Sequence, residues 1–176
     1  MHLLQAAHQA LDLHLAELAA LPGASGYSGH ANGLQRGQLR ANRQVPVVVR
    51  VLQFSDPHLV ADPEGRCRGR RSLAWLRHGW QQCLAQLPQR PDLLLISGDL
   101  CQDESWGGYA RLRDWIRTDV QPLAVPVALL PGNHDHPQLL RAALGRDAAL
   151  APLRLPLAGW DLLLLSSRSE EHTSEL

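Results

Sequence analysis

Apolar positions fall into short continuous runs separated by stretches of helical spacing. Residues 47–54 are β-branched and apolar, residues 93–96 and 125–130 form two further runs, and residues 162–165 a fourth. Between them, residues 72–87 carry Leu73, Leu76, Trp80, Leu84 and Leu87 at spacings of three and four, the period of a helix with one buried face. Residues 105–116 predict a second helix with Ser105 as N-cap, and residues 137–144 a short third one with Pro137 in its first turn, where a missing N–H costs nothing. Strands alternating with helices predict an α/β fold, layered around a largely parallel sheet.

The ends of the chain read differently. Leu4, Leu11, Leu15 and Leu18 predict one amphipathic helix over residues 3–21, ended by Pro22 and Gly23. Residues 22–44, rich in Gly, Ser, Asn and Gln, read as linker, so residues 1–44 are a helix and linker ahead of a compact domain over 45–167, with a mis-assigned upstream start as the alternative. His2, His8 and His14 recur every six residues, which scatters them around a helix and marks them as surface residues. Residues 168–176 read Arg-Ser-Glu-Glu-His-Thr-Ser-Glu-Leu, codon for codon the translation of the start of a common sequencing adapter. They are set aside as a fusion scar would be, and residues 45–167 are expected to be the N-terminal half of a longer domain.

Composition narrows the class. The 17 basic and 17 acidic residues balance, and leaving out Arg168, Glu170, Glu171 and Glu175 gives a net charge of +2, which supplies no argument for nucleic acid or an anionic membrane as partner. Cys67, Cys83 and Cys101 are odd in number and lack the spacing of a metal site, so they read as reduced thiols. No apolar run approaches the roughly 20 residues of a spanning helix, and Asp12, His14 and Glu17 interrupt any leader-like segment, which predicts a cytoplasmic protein.

Chemistry concentrates in three loops, each directly after a predicted strand: Asp56-Pro57-His58, Gly98-Asp99 and Gly132-Asn133-His134-Asp135. In open α/β sheets ligands bind beyond the carboxyl ends of the strands, so folding alone would bring these loops together. Asp56 and His58, two apart in an extended segment, would point the same way onto one metal ion, with Pro57 stiffening the loop. The Asp99 carboxylate can bridge two metals about 3.5–4 Å apart, and Asn133 offers a second metal a neutral amide oxygen that does not repel phosphate. His134, between a ligand and a carboxylate, suits a general acid or a stabiliser of pentacoordinate phosphorus, with Asp135 orienting its ring. His136 is a further candidate for substrate contact, against the plainer reading of an unspecialised loop histidine.

The three motifs together resemble the calcineurin-like metallophosphoesterase superfamily, whose signature continues with a lone His and a Gly-His-x-His. The segment from Gly98 to Ser105 with Tyr109, and Leu130 to Asp135, resemble the bacterial class III cyclic nucleotide phosphodiesterases. The resemblance covers roughly residues 49–166. It implies a β-sandwich flanked by helices, two divalent metal ions (Mn, Fe or Zn), and a metal-bridging hydroxide that attacks phosphorus in line on a small phosphodiester such as cAMP. On that pattern Asp56 and His58 bind the first metal, Asp99 both, and Asn133 the second. Gln102 stands where purple acid phosphatases carry a tyrosine, and His134 where lipid A pathway pyrophosphatases carry an arginine. A non-catalytic scaffold on the same fold and a nuclease of the superfamily are the alternatives; His134 argues against the first and the missing basic excess against the second. The C-terminal histidines of the signature do not occur after residue 136. This chain alone is therefore expected to aggregate or to hydrolyse bis-p-nitrophenyl phosphate poorly with added manganese.

Overall fold

The structure, a computed structural model, describes residues 13–19 and 48–166. Its main sheet has five strands in the order β1 (Leu13–Ala19), β2 (Val48–Ser55), β3 (Leu93–Gly98), β4 (Val127–Pro131) and β5 (Ala149–Leu150). β2 to β5 run parallel and β1 is antiparallel to β2. Helix α1 (Ser72–Gln86) follows β2, α2 (Trp106–Trp115) follows β3 and α3 (Pro137–Leu144) follows β4. Between α2 and β4 the chain passes through a π-helical turn, Ile116–Val120, and a 3-10 turn, Gln121–Leu123.

Because β2, β3, β4 and β5 are neighbours in chain order, right-handed crossovers put all three helices on one face. That face is the larger core: Leu52, Phe54, Leu94, Ile96, Val127 and Leu129 from the strands meet Leu76 and Trp80 of α1, Leu112 and Trp115 of α2, and Leu140 and Leu144 of α3. Trp80 and Trp115 meet edge to face at 6.1 Å. The opposite face, Val49, Val51, Leu93 and Ala128, is covered by an antiparallel hairpin of β6 (Leu153–Leu157) and β7 (Trp160–Leu164), with Leu164 buried against it. Burial on both faces explains why β3 and β4 read as unbroken apolar runs.

Two expectations need correction. Residues 13–19 lie within the predicted N-terminal helix, yet they form a strand that pairs with β2 from Leu13 opposite Phe54 to Ala19 opposite Val48. The pairing satisfies the N–H and C=O groups along an otherwise open edge of β2, which outweighs local helix preference. The sheet thus begins upstream of residue 45, while the linker over 22–44, His2, His8 and residues 168–176 lie outside the described residues. Residues 162–165 do not extend the main sheet either. They belong to the hairpin, whose two-residue turn, Ala158-Gly159, has φ of 49° and 88°, the left-handed pair that matches strand twist.

Candidate metal centre

β2, β3 and β4 end side by side, and backbone hydrogen bonds carry the parallel ladder on into the loops. Asp56 N–H donates to the Ser97 carbonyl at 2.9 Å, His58 N–H to the Asp99 carbonyl at 3.0 Å, and Gly132 N–H to the Gly98 carbonyl at 2.8 Å. Side chains reinforce the lacing. Asp99 N–H donates to Asp56 Oδ1 and His134 N–H to Asp99 Oδ1, both at 3.1 Å. Donor atoms of Asp56, His58 and Asp99 converge to within 4.8 Å of one another.

Convergence is achieved through an unusual backbone. Asp56 and His58 have φ of 53° and 45°, so the segment is not the extended one expected, and the side chains on either side of the buried Pro57 are aimed by left-handed backbone. Such conformations cost of order 1–3 kcal/mol each and persist where surrounding structure enforces them. Two glycines make room. Gly98 has φ of 74°, and a Cβ there would lie 2.6 Å from Asp56 Cγ; one at Gly132 would lie 2.8 Å from the Asp99 nitrogen. Both positions therefore bring backbone against a carboxylate of the cluster that any side chain would displace.

The residues fit a metal ion. The His58 side chain is 14% exposed and turns Nε2 toward the Asp56 carboxylate, while its Nδ1 is buried without a hydrogen-bond partner. His58 Nε2 stands 4.0 Å from Asp56 Oδ1, too far for a hydrogen bond and suited to two atoms sharing an ion with bonds of about 2 Å. Asn133 occupies the exposed turn after Gly132. His134 beside it is about half exposed, with Nε2 4.0 Å from Asp99 Oδ2 and its ring 6.5 Å from that of His58. A separate cleft of about 500 Å³ between the loop after His58 and the start of α1 is lined by Arg71, Arg77, His78 and Arg111, and none of the ligand candidates borders it.

Asp135 and His136 each bond to neighbouring elements of the fold. The Asp135 carboxylate is buried and faces inward, accepting from Leu100 N–H and Cys101 N–H at 3.1 Å, Gly132 N–H at 3.0 Å and the Tyr109 hydroxyl at 3.1 Å. Burial pushes its pKa up, against these four donors, which favour the charged form. Its carboxylate bridges the loop after β3 and the loop after β4. His136 caps α3: its Nδ1 accepts from Leu139 N–H at 3.4 Å, which turns that side of the ring toward the helix. Ser105 caps α2 as expected, accepting from Gly108 N–H at 3.0 Å. The residue that sequence reasoning left without a role is Tyr109, fully buried, whose hydroxyl meets both Asp135 and His136 N–H; its place at helical spacing with Leu112 shows only a core position.

Comparison with known proteins agrees with this geometry. The chain is similar to a Synechococcus sp. WH7803 protein named a probable cyclic nucleotide phosphodiesterase, 50% identical over 122 residues that make up 67% of this chain and 44% of that one. It is also similar to the 3′,5′-cyclic adenosine monophosphate phosphodiesterases CpdA of Vibrio vulnificus (33% over 121 residues; 68% and 42%) and Escherichia coli K12 (33% over 128 residues; 68% and 42%). The chain thus spans less than half the length of these curated relatives. No described helix is long and apolar enough to cross a membrane. With the calcineurin-like phosphoesterase pattern matching residues 49–168, the chain belongs to that family, a family of divalent-metal hydrolases.

Proposed function

We propose that these residues form part of the active site of a phosphodiesterase that hydrolyses cyclic nucleotides such as 3′,5′-cyclic AMP with two divalent metal ions. The observation that carries this reading is the convergence of Asp56, His58 and Asp99 at the ends of three parallel strands, beside the turn that bears Asn133 and His134. Asp56 and His58 would hold one cation, Asp99 both, and Asn133 the second. Divalent ions there supply Lewis-acid activation of the phosphoryl group and of a water nucleophile. A neutral amide at Asn133 binds without adding negative charge opposite the phosphate. His134, tethered to Asp99 through its backbone N–H and with its ring open to solvent, donates a proton to the departing ribose oxygen. The names of the relatives support the substrate class, and manganese, iron and zinc all suit carboxylate, amide and imidazole donors.

A chimera tests the reading. Residues 48–166 replace the equivalent segment of the Synechococcus WH7803 relative, and hydrolysis of 3′,5′-cyclic AMP is followed with manganese. The expected result is metal-dependent release of 5′-AMP, reduced about 10²-fold or more by His134→Ala. A folded, manganese-binding chimera that leaves cyclic AMP and bis-p-nitrophenyl phosphate intact would overturn it.

A further inference from the structure

We propose that Tyr109 is a positioning residue of the metal centre, its hydroxyl fixing the loop of Asp99 against the loop of Asn133 and His134. The inference rests on the metal-centre reading above and concerns a residue on α2 that touches none of the ligands.

The geometry is a short chain of hydrogen bonds with one hydroxyl at its hub. Tyr109 Oη accepts from His136 N–H at 2.7 Å and donates to Asp135 Oδ1 at 3.1 Å. Asp135 Oδ1 also accepts from Cys101 N–H, and Oδ2 accepts from Leu100 N–H and Gly132 N–H. One carboxylate therefore spans the loop after β3, where Leu100 and Cys101 directly follow Asp99, and the loop after β4, where Gly132 directly precedes Asn133. The hydroxyl is a donor to it from outside the two loops. Without it, the carboxylate joins the two loops to each other but loses this bond to α2.

Tyr109 is well placed to act as that reference. Its ring is fully buried among Leu59, Leu100, Leu112 and the rest of the larger core, and α2 is anchored at its start by the Ser105 cap. Its second bond, from His136 N–H, fixes the residue that caps α3, so one atom ties the far end of the Asn133–Asp135 turn to α2 and its near end, through Asp135, to the Asp99 loop. Phenylalanine fills the same volume and lacks both bonds, leaving His136 N–H without its acceptor in a part-buried position. Partners that hold ligands in register without touching the metal are commonly worth 10- to 100-fold in metal affinity.

The test compares the full chain with Tyr109→Phe and with Leu112→Val, a core change on the same helix that leaves both hydrogen bonds of the hydroxyl in place. Amide hydrogen exchange is read at residues 99–101 and 132–136, and manganese binding by titration and by the Mn(II) EPR spectrum. The expected result is that Tyr109→Phe keeps its secondary structure, loses protection in both loop segments, binds manganese about tenfold more weakly and shows an altered EPR line shape. Leu112→Val lowers stability without these changes. Unchanged exchange in both loop segments of Tyr109→Phe overturns the proposal, as does an equal loss of manganese affinity in a folded Leu112→Val. A wild-type chain that binds no manganese removes the metal-centre reading, while loop exchange still decides whether the hydroxyl joins the loops.

Discussion

At the scale of single residues, the site depends on atoms that are absent. Gly98 with φ of 74° leaves room for Asp56, and alanine there meets two penalties: a left-handed backbone costs about 1–2 kcal/mol, and its Cβ would strike the Asp56 carboxylate. Gly98→Ala is therefore expected to lower the urea midpoint modestly and manganese affinity by tenfold or more, since the carboxylate must leave its place. Equal manganese titrations for wild type and variant would contradict this. Cys101, three residues on, gives an independent check of how closed the loop is. It is fully buried, and burial together with the neighbouring Asp103 carboxylate pushes its thiol up to about 11. The reactive thiolate is thus nearly absent at pH 8. Iodoacetamide at that pH is expected to leave Cys101 unlabelled in the folded chain and to modify it after denaturation, as mass spectrometry of tryptic peptides would show.

At the scale of elements, an ion pair links the π-helical turn after α2 to the loop between α3 and β5. Arg117 grips Asp147 with two bonds of 2.8 and 2.9 Å, and these bonds, ahead of the opposing effect of burial, hold the Asp147 carboxyl below its usual range. A carboxyl depressed in the folded state stabilises the fold above the unfolded value of about 3.9, and the contribution fades as pH falls through the lower folded value. Asp147→Asn is expected to melt slightly below wild type at pH 6, with the gap closing toward pH 2–3 and narrowing in high salt. A gap that widens on acidification would contradict that sign. The same elements show what was legible in the sequence. β2, β3, β4, α1 and α3 follow from periodicity because each buries a face made by its own residues. β1 does not, because Leu-His-Leu-Ala-Glu-Leu-Ala has no β-branched residue and owes its strand form to the edge of β2, 29 residues further on. The hairpin had its signal in Leu153, Leu155 and Leu157 alternating with Arg154 and Pro156. The ligand loops were legible because strand ends converge whatever their side chains do. The bond between Asp135 and Tyr109 was not, since adjacency to His134 in sequence does not show that a turn sends the carboxylate inward.

At the scale of the whole molecule, the fold separates stability from chemistry. Helices cover one face of the sheet and a hairpin the other, while Asp56, Asn133 and His134 stay exposed at the carboxyl edge. Two carboxylates with atoms within 4.8 Å of each other repel across that edge, so a bound cation should stabilise the fold through mass action on the native state. At a free manganese concentration of 100 times Kd the gain is about 2.7 kcal/mol, which for a domain of this size corresponds to a rise of roughly 10 °C in melting temperature. Asp99→Asn keeps an oxygen for His134 N–H and removes both the charge and the second metal-binding oxygen. It is expected to lose most of the manganese-induced rise while melting no lower than wild type in EDTA, because the repulsion with Asp56 is gone. Differential scanning fluorimetry with and without manganese separates the outcomes. A rise of the same size in wild type and Asp99→Asn would place manganese elsewhere on the chain. A rise confined to wild type and reversed by EDTA would tie the ion to the edge where β2, β3 and β4 end together.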